Sequence, residues 1–191
     1  MRLSPRPIWI ALVVLLPLFL TPTFAATIQA GPWLQATTET SVVIMWETDT
    51  DVDGVVHVGE TTDFGHTQRS RAKRIDATSV IGDTDAVLHE VKLSGLRPGT
   101  LYHYRVETGS ARSQVHTFTT HGTPRIWRFT HTASPNALVT SKANRTWASM
   151  SAEQSDFIVI SGDISNRVTN NDFRKFFSRA YPLAAGTPVY T

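Results

Sequence analysis

The stretch that decides the fold is Asp156-Phe157-Ile158-Val159-Ile160-Ser161-Gly162-Asp163. It has no polar residue between Phe157 and Ile160, which is typical of a parallel strand that is buried on both faces. Ligands of open α/β sheets bind beyond the carboxyl ends of such strands. The sequence therefore predicts that the Asp163 carboxylate lies where a functional site would form.

The segments around this strand predict a parallel α/β sheet. Strand patterns occupy residues 126–131, 156–161 and 188–190, and helix patterns occupy residues 136–150 and 171–180. Strands that alternate with helices form right-handed βαβ units. We therefore expect an α/β domain in the C-terminal part of the chain.

The second predicted helix carries one apolar stripe. Its members stand at positions i, i+3, i+4 and i+8: Phe173, Phe176, Phe177 and Tyr181. This spacing places them on one face of a helix. Asn170 or Asn171 is available as the N-cap, and Arg174 and Lys175 are predicted to face solvent.

The N-terminal part has the pattern of an all-β sandwich. Runs of strand length with frequent period-two alternation occur at residues 41–47, 55–58, 86–93, 101–106 and 114–119. Turn-forming residues separate them, as in a β-sandwich.

A basic cluster is interpreted as a solvated loop: Arg69, Arg71, Lys73 and Arg74. Four histidines lie on separate strands without carboxylates at ligand spacing, so none is predicted to bind metal: His57, His89, His103 and His116.

A Pro-Gly turn followed by a tyrosine makes the sandwich prediction more specific. In Leu96-Arg97-Pro98-Gly99-Thr100-Leu101-Tyr102-His103-Tyr104, a tyrosine just inside a strand can hydrogen-bond back across the connection, as in a tyrosine corner. The pattern resembles a fibronectin type III domain. Together with Gly31-Pro32-Trp33-Leu34-Gln35 and Trp46, it resembles the N-terminal domain of purple acid phosphatases and their bacterial relatives.

A second resemblance begins at the strand quoted first. That strand, the helix segment Asp172-Phe173-Arg174-Lys175-Phe176-Phe177 and the segment Thr187-Pro188-Val189-Tyr190 resemble the opening of a calcineurin-like metallophosphoesterase domain. The resemblance implies that Asp163 bridges two metal ions, each Fe, Zn or Mn. Such ions lower the pKa of a bound water and clamp the oxygens of a phosphate ester during hydrolysis.

The chain departs from this family pattern near the first strand. The family's first metal-binding Asp would fall at Ala133-Ser134, and no carboxylate occurs from Ile126 to Ser151. Whether Ser134 or His131 takes its place stays open, because a histidine within a strand is more often packed or hydrogen-bonded than metal-bound. Asn166 replaces a tyrosine of the purple members, so their colour and ferric preference are not expected. Asp163 is the one metal ligand assigned, and no catalytic residue is.

Residues 1–25 have the pattern of a secretory signal peptide. Arg2 and Arg6 form a positive start, residues 8–20 are largely apolar, and Thr23-Phe24-Ala25 suits cleavage before Ala26. The apolar run is shorter than the roughly 20 residues that cross a bilayer, so no membrane span is expected after cleavage. We therefore predict a secreted or periplasmic protein. The chain has no cysteine, which excludes disulfides and zinc-thiolate sites.

Charge gives no reason to expect a nucleic-acid partner. Without Arg2 and Arg6, sixteen basic residues balance sixteen acidic ones. Nucleic-acid binding needs a basic patch or a basic excess, which this balance does not supply. The resemblance implies a phosphorylated small molecule or another phosphate ester as the partner of the full-length enzyme.

The predicted organisation is a signal peptide at 1–25, a fibronectin type III-like domain at 26–120, a linker at 121–125 and the N-terminal part of a calcineurin-like phosphoesterase domain at 126–191. The second domain is expected to be incomplete, with an uncovered apolar face. The sequence thus predicts a fragment of a secreted metal-dependent phosphoesterase of the acid phosphatase type, inactive as these 191 residues. The alternative is a non-catalytic secreted binding module with a degenerate phosphoesterase remnant.

Overall fold

The structure is a computed structural model that describes residues 25–123, 126–133, 143–162, 164–165 and 167–191. The predicted signal peptide lies outside the described residues except for Ala25. Residues 28–119 form strands β1 to β9, and residues 129–190 contain three further strands and two helices. The two-part architecture predicted from the sequence, all-β followed by α/β, is confirmed.

The N-terminal part consists of two antiparallel sheets. One has the strand order β1-β2-β6-β5, and the other has the order β4-β3-β7, with β8 and β9 both paired to β7. The strands are β1 Ile28–Gln35, β2 Ser41–Thr48, β3 Gly54–Gly59, β4 His66–Ser70, β5 Ala72–Ile75, β6 Ala86–Ser94, β7 Leu101–Thr108, β8 Ala111–Arg112 and β9 His116–Thr119. Their inward side chains form a closed core that includes Val42, Ile44, Trp46, Val56, Tyr104, Val106 and Phe118.

The predicted tyrosine corner is present. The backbone N–H of Arg97 donates to the hydroxyl oxygen of Tyr102 over 2.9 Å, which ties the β6–β7 connection to the start of β7. Tyr102 also stacks on Phe118, with ring centroids 5.4 Å apart. The fibronectin type III-like sandwich predicted from this motif is confirmed.

The interpretation of the basic cluster as a loop is wrong. Arg69 lies in β4, while Lys73 and Arg74 lie in β5. Both strands are edge strands, and most of their side chains are exposed, so the apolar alternation that marks a strand is missing. Charged side chains on an edge also discourage pairing with other chains.

The C-terminal part is a three-stranded parallel sheet with two helices. The strands are β10 Phe129–Ala133, β11 Phe157–Ser161 and β12 Val189–Tyr190, in the order β10-β11-β12. Helix α1 spans Ala143–Ala152 and helix α2 spans Asn170–Ala184. Residues 136–142 of the first predicted helix lie outside the described residues. The predicted parallel alternation of strand and helix is confirmed.

Two details of α2 differ from the prediction. The N-cap is Thr169, whose hydroxyl accepts from the backbone N–H of Asp172 over 3.1 Å, rather than Asn170 or Asn171. The helix also continues four residues past Ala180, through Pro182. The asparagines do not cap the helix because they form its first turn and bond to the sandwich instead.

Only one face of the parallel sheet is fully buried. Ile158 and Ile160 point under the helices, whereas Phe157 and Val159 point to the other side and are half-buried. The opposite face is therefore aromatic and open among the described residues: Phe129, 57% exposed, stacks on Phe157, and Tyr190 contacts Phe157 edge-on. The prediction that β11 is buried on both faces is wrong, because both helices lie on one side. The uncovered apolar face matches the expectation for this domain.

Helix α2 joins the two parts of the molecule. Its buried face packs on the parallel sheet, and the same hydrophobic cluster includes Ala30 and Trp33 from β1 of the sandwich. The Trp33 ring stacks on Phe177 of α2 with centroids 4.1 Å apart. At the far end, the buried Tyr104 hydroxyl donates to the carbonyl of Ala185 over 2.7 Å. The sandwich therefore forms part of the core that holds the α/β part.

Candidate functional site

The candidate site lies at the carboxyl ends of β10 and β11. Ala133 pairs with Ser161 in the parallel register, so both strands end at the same edge of the sheet. Ser134 and Asp163 follow these ends in sequence. Both lie outside the described residues, as does Asn166, so the predicted ligand Asp163 stays a prediction.

His131 is the one candidate of this edge that the structure describes. Its Nε2 lies 2.8 Å from the hydroxyl oxygen of Ser161, on the open face of the sheet. This bond ties β10 to β11 close to their ends. Among the described residues, no three or more His, Asp or Glu side chains come together as a metal site.

The segment after the candidate ligand folds back on the first turn of α2. The Ser165 hydroxyl donates to Oδ2 of Asp172 over 3.1 Å and accepts from the backbone N–H of Val168 over 2.7 Å. The backbone N–H of Arg167 donates to the same Asp172 oxygen over 3.2 Å. The Asp172 carboxylate thus accepts hydrogen bonds from its own loop, and it is not a free ligand for the strand ends.

The first turn of α2 bonds to the sandwich through two asparagines. The side-chain N–H groups of Asn170 donate to the carbonyls of Asp76 and Thr84, over 3.1 and 3.0 Å. The Asn171 carbonyl oxygen accepts from the Thr84 hydroxyl over 3.0 Å. These carbonyls and hydroxyls belong to the β5–β6 loop, residues 76–85. The helix end beside the candidate site is therefore held by a loop of the other part.

Arg174 does not face solvent, contrary to the prediction. It is 19% exposed, and its Nε donates to Oε1 of Glu47 over 2.6 Å, with Glu47 only 7% exposed. Desolvation raises the pKa of the Glu47 carboxyl, and the Arg174 guanidinium offsets only part of that increase. The prediction failed because the face of α2 that looks polar in sequence lies against β2. The ion pair links the sandwich to the helix.

A mainly apolar cavity of about 410 Å³ adjoins this ion pair, between the sandwich and α2. Its lining includes Trp33, Met45, Leu88, Phe173 and Phe177. A phosphate ester is bound by cations and N–H donors rather than by apolar side chains. The chemistry of the cavity therefore separates it from a phosphoesterase centre.

None of the helices in the described part of the chain has both the length and the apolar character needed to cross a membrane.

Comparison with known proteins identifies a family that the sandwich matches and supports the overall fold. Residues 31–120 match the family model described as the purple acid phosphatase, N-terminal domain. A search of the curated proteins by sequence returns no match. Two of the similar solved structures illustrate matches that cover most of the chain. A purple acid phosphatase from yellow lupin (Lupinus luteus) seeds covers 87% of it at a TM-score of 0.64 and 16% identity. A structure of PhoD covers 88% at a TM-score of 0.58 and 17% identity.

The chain spans 34% of the length of the lupin phosphatase and 39% of the length of PhoD. At these identities the similarity shows the fold. The alignment with both structures extends well beyond residues 31–120, so it includes the α/β part as well as the sandwich.

Proposed function

Taking as premise that this chain resembles the N-terminal portion of a purple acid phosphatase, we propose that it belongs to a metal-dependent phosphoesterase acting on phosphate esters. One observation carries the proposal. A sandwich that matches the purple acid phosphatase N-terminal domain is followed by a parallel sheet whose middle strand ends two residues before Asp163. Ligand sites of such sheets lie beyond the carboxyl ends of the strands.

In this proposal Asp163 is a metal ligand. A carboxylate oxygen between two cations of Fe, Zn or Mn type offsets their mutual repulsion. When bound, such a metal pair supplies an activated water and a clamp for the phosphate oxygens. The described residues at this edge, His131 and Ser161, do not complete a ligand set for two cations. Because no carboxylate occurs from Ile126 to Ser151, where the resembled family has its first metal ligand, we propose that these 191 residues alone are inactive.

The cellular setting is part of the proposal. Residues 1–25 are proposed to be a cleaved signal peptide, which makes the protein secreted or periplasmic. A partner of phosphate-ester chemistry fits such a protein, and the balance of acidic and basic residues gives nucleic acid no support.

The test is a titration of the chain with Mn²⁺, followed by paramagnetic broadening of its backbone amide signals. We expect broadening centred on residues 161–165, and its loss in Asp163→Asn. Asp156→Asn is the matched control, because Asp156 precedes the same strand at its opposite end and accepts from the Arg128 N–H over 2.8 Å. Broadening that persists in Asp163→Asn would overturn the ligand role.

A phosphomonoester assay with added divalent metals tests the second half of the proposal. We expect no turnover above a metal-only control. Turnover that Asp163→Asn abolishes would contradict the proposed inactivity of the chain and would at the same time support the ligand role.

The second candidate function is a non-catalytic secreted binding module with a degenerate phosphoesterase remnant. The observation in its favour is that no carboxylate occurs from Ile126 to Ser151, where the resembled family has its first metal ligand. A remnant would show no Mn²⁺ broadening that depends on Asp163. The same titration therefore separates the two candidates.

A further inference from the structure

Asp83, in the β5–β6 loop of the sandwich, bonds to the first turn of α2 from across the domain boundary. Its Oδ1 accepts from the backbone N–H of Asn171 over 3.1 Å, and its Oδ2 accepts from the backbone N–H of Asn170 over 3.3 Å. The first N–H groups of a helix have no partner within the helix. Asp83 supplies partners for two of them, and a carboxylate there also interacts favourably with the helix dipole.

The Asp83 carboxylate is itself held in place. The backbone N–H and the hydroxyl of Thr78 donate to its Oδ2 over 2.8 and 2.9 Å. Desolvation raises the pKa of this carboxyl, but backbone hydrogen bonds from Thr78 and Asn171 outweigh it and hold the pKa well below its usual range. The group is thus charged whenever the protein is near neutral pH.

The same helix turn holds the segment that follows Asp163. Thr169 caps the N–H of Asp172, and the Asp172 carboxylate accepts from Ser165 and from the backbone N–H of Arg167. Ser165 stands two residues after Asp163 in the chain. One set of bonds therefore runs from Asp83 through the first turn of α2 to the Ser165 hydroxyl and the backbone N–H of Arg167, two and four residues after Asp163 in the chain.

We infer that Asp83 is a positioning residue: it fixes the start of α2 and, through Asp172, Ser165 and Arg167, which follow the candidate ligand in the chain. The consequence for metal binding rests on the function proposed above. The sandwich then acts as a part of the site's support rather than as a spacer, although it contributes no residue to the strand ends.

Hydrogen–deuterium exchange of the full chain tests the structural step. In Asp83→Ala we expect the peptide covering residues 164–173 to exchange roughly two- to thirtyfold faster, the range that corresponds to loss of a helix cap. A sandwich peptide covering residues 41–59 should keep its exchange rate, which also shows that the variant is folded. Asp83→Asn, which keeps one acceptor oxygen without the charge, should recover part of the protection.

The matched control is Asp76→Ala in the same loop. The Asp76 side chain is 92% exposed and lies 3.9 Å from Arg74, and only its backbone carbonyl contacts α2. We expect the wild-type exchange rate at residues 164–173 in this variant. Equal exchange in Asp83→Ala and Asp76→Ala would overturn the inference.

Mn²⁺ titration of the same variants tests the consequence for the site and separates the two proposals. We expect Asp83→Ala to need several-fold more Mn²⁺ than wild type for equal broadening near residue 163, with Asp83→Asn between them. Broadening in wild type that Asp83→Ala leaves unchanged would overturn the positioning role. Faster exchange in Asp83→Ala, with no Asp163-dependent broadening in wild type, would support the hold on the segment and overturn the proposed metal site.

Discussion

His89 is an uncharged histidine within the sandwich. It is buried, its ring stacks on Trp46 with centroids 4.7 Å apart, and its two nitrogens lie 2.9 Å from the Thr48 hydroxyl and 3.1 Å from the Ser70 hydroxyl. Desolvation lowers the pKa of His89 to about 4, although the carboxylates of Asp53 and Asp51 act in the opposite direction. With both ring nitrogens hydrogen-bonded, the neutral ring serves as a buried hydrogen-bonding group of the sandwich.

The first prediction concerns the acid stability of the sandwich. Because the pKa of His89 is lower in the folded state than its ordinary 6.5, its contribution to stability is full above pH 6.5 and is lost as the pH falls towards about 4. The loss amounts to roughly 3 kcal/mol in the free energy of unfolding. Urea unfolding followed by tryptophan fluorescence at several pH values measures it.

His89→Gln is the comparison for this experiment, since it keeps hydrogen-bonding groups but does not titrate. The difference in unfolding free energy between wild type and His89→Gln should change between pH 6.5 and 4 and be constant above pH 7. A constant difference across the whole range would show that protonation of His89 plays no part in acid unfolding.

Helix α2 is the element on which both parts of the molecule depend. Arg174 pairs with Glu47 of β2, Trp33 of β1 stacks on Phe177, and Tyr104 of β7 bonds to the carbonyl of Ala185. Contacts with the sandwich thus occur near the start, in the middle and at the end of the helix. The parallel sheet and the sandwich therefore both fix the orientation of α2.

The second prediction concerns the ion pair on this helix. Arg174→Met leaves the Glu47 carboxylate buried and without its ion-pair partner. Breaking a buried pair in this way costs up to about 3–5 kcal/mol in the free energy of unfolding. Glu47→Gln combined with Arg174→Met removes both charges and should recover most of the loss. Lys175→Met, which removes an exposed cation 3.7 Å from Asp172, is the control and should cost less than about 1 kcal/mol. An Arg174→Met loss no larger than the Lys175→Met loss would contradict the role of the pair.

The pH dependence of the same variants follows from the raised pKa of Glu47. A carboxyl whose pKa is higher in the folded state stabilises the protein most below its ordinary pKa of 4.5, and this contribution is lost as the pH rises through the folded value. Without Arg174, the pKa of Glu47 rises further, so Arg174→Met should lose stability over a wider interval above pH 4.5. The double variant should not show this additional slope.

Local pattern was enough to predict most elements and one specific contact. Period-two alternation located β2, β3, β6 and β7, and the Pro-Gly turn with Tyr102 predicted a hydrogen bond that the structure contains. The edge strands β4 and β5 were not predicted, because most of their side chains are exposed. Pattern alone cannot identify such strands, since nothing apolar repeats in them.

The contacts across the two parts could not be predicted from the sequence. Arg174 and Glu47 are 127 residues apart, and Asn171 and Asp83 are 88 apart. Each side chain looks like an ordinary exposed polar residue in its own segment. Only the docking of α2 on the sandwich brings them together, and no local signal encodes that docking. Asp163, in contrast, is predicted as a ligand from the strand that precedes it, and it stays a prediction.

At the scale of the whole molecule, the two parts have unequal cores. The sandwich core is built from sandwich residues alone, whereas the core of the α/β part takes Ala30 and Trp33 from the sandwich. Among its described residues, the α/β part also leaves Phe129 exposed and Phe157 only partly buried. A small domain buries a small fraction of its surface on folding and is correspondingly marginal in stability, and an open apolar face adds to this deficit.

The third prediction follows from this difference between the two hydrophobic cores. A protein limited to residues 26–121 should fold and unfold cooperatively, whereas residues 122–191 alone should lack a cooperative thermal transition. Circular dichroism melting of the two pieces and of the whole chain measures this directly. Cooperative melting of residues 122–191 alone would show that the sandwich is dispensable for the α/β part.

The bonds between Asp83 and the start of α2 also bear on the order in which the molecule is made. Contacts between residues far apart in sequence form late in folding, because a long loop must first be closed. Here the earlier partner belongs to a unit with its own complete core, and chains are synthesised from the N-terminus, so that unit can finish first. The helix then starts on a surface that already exists. We therefore expect translation order and assembly order to coincide, with the sandwich folded before helix α2 docks on it.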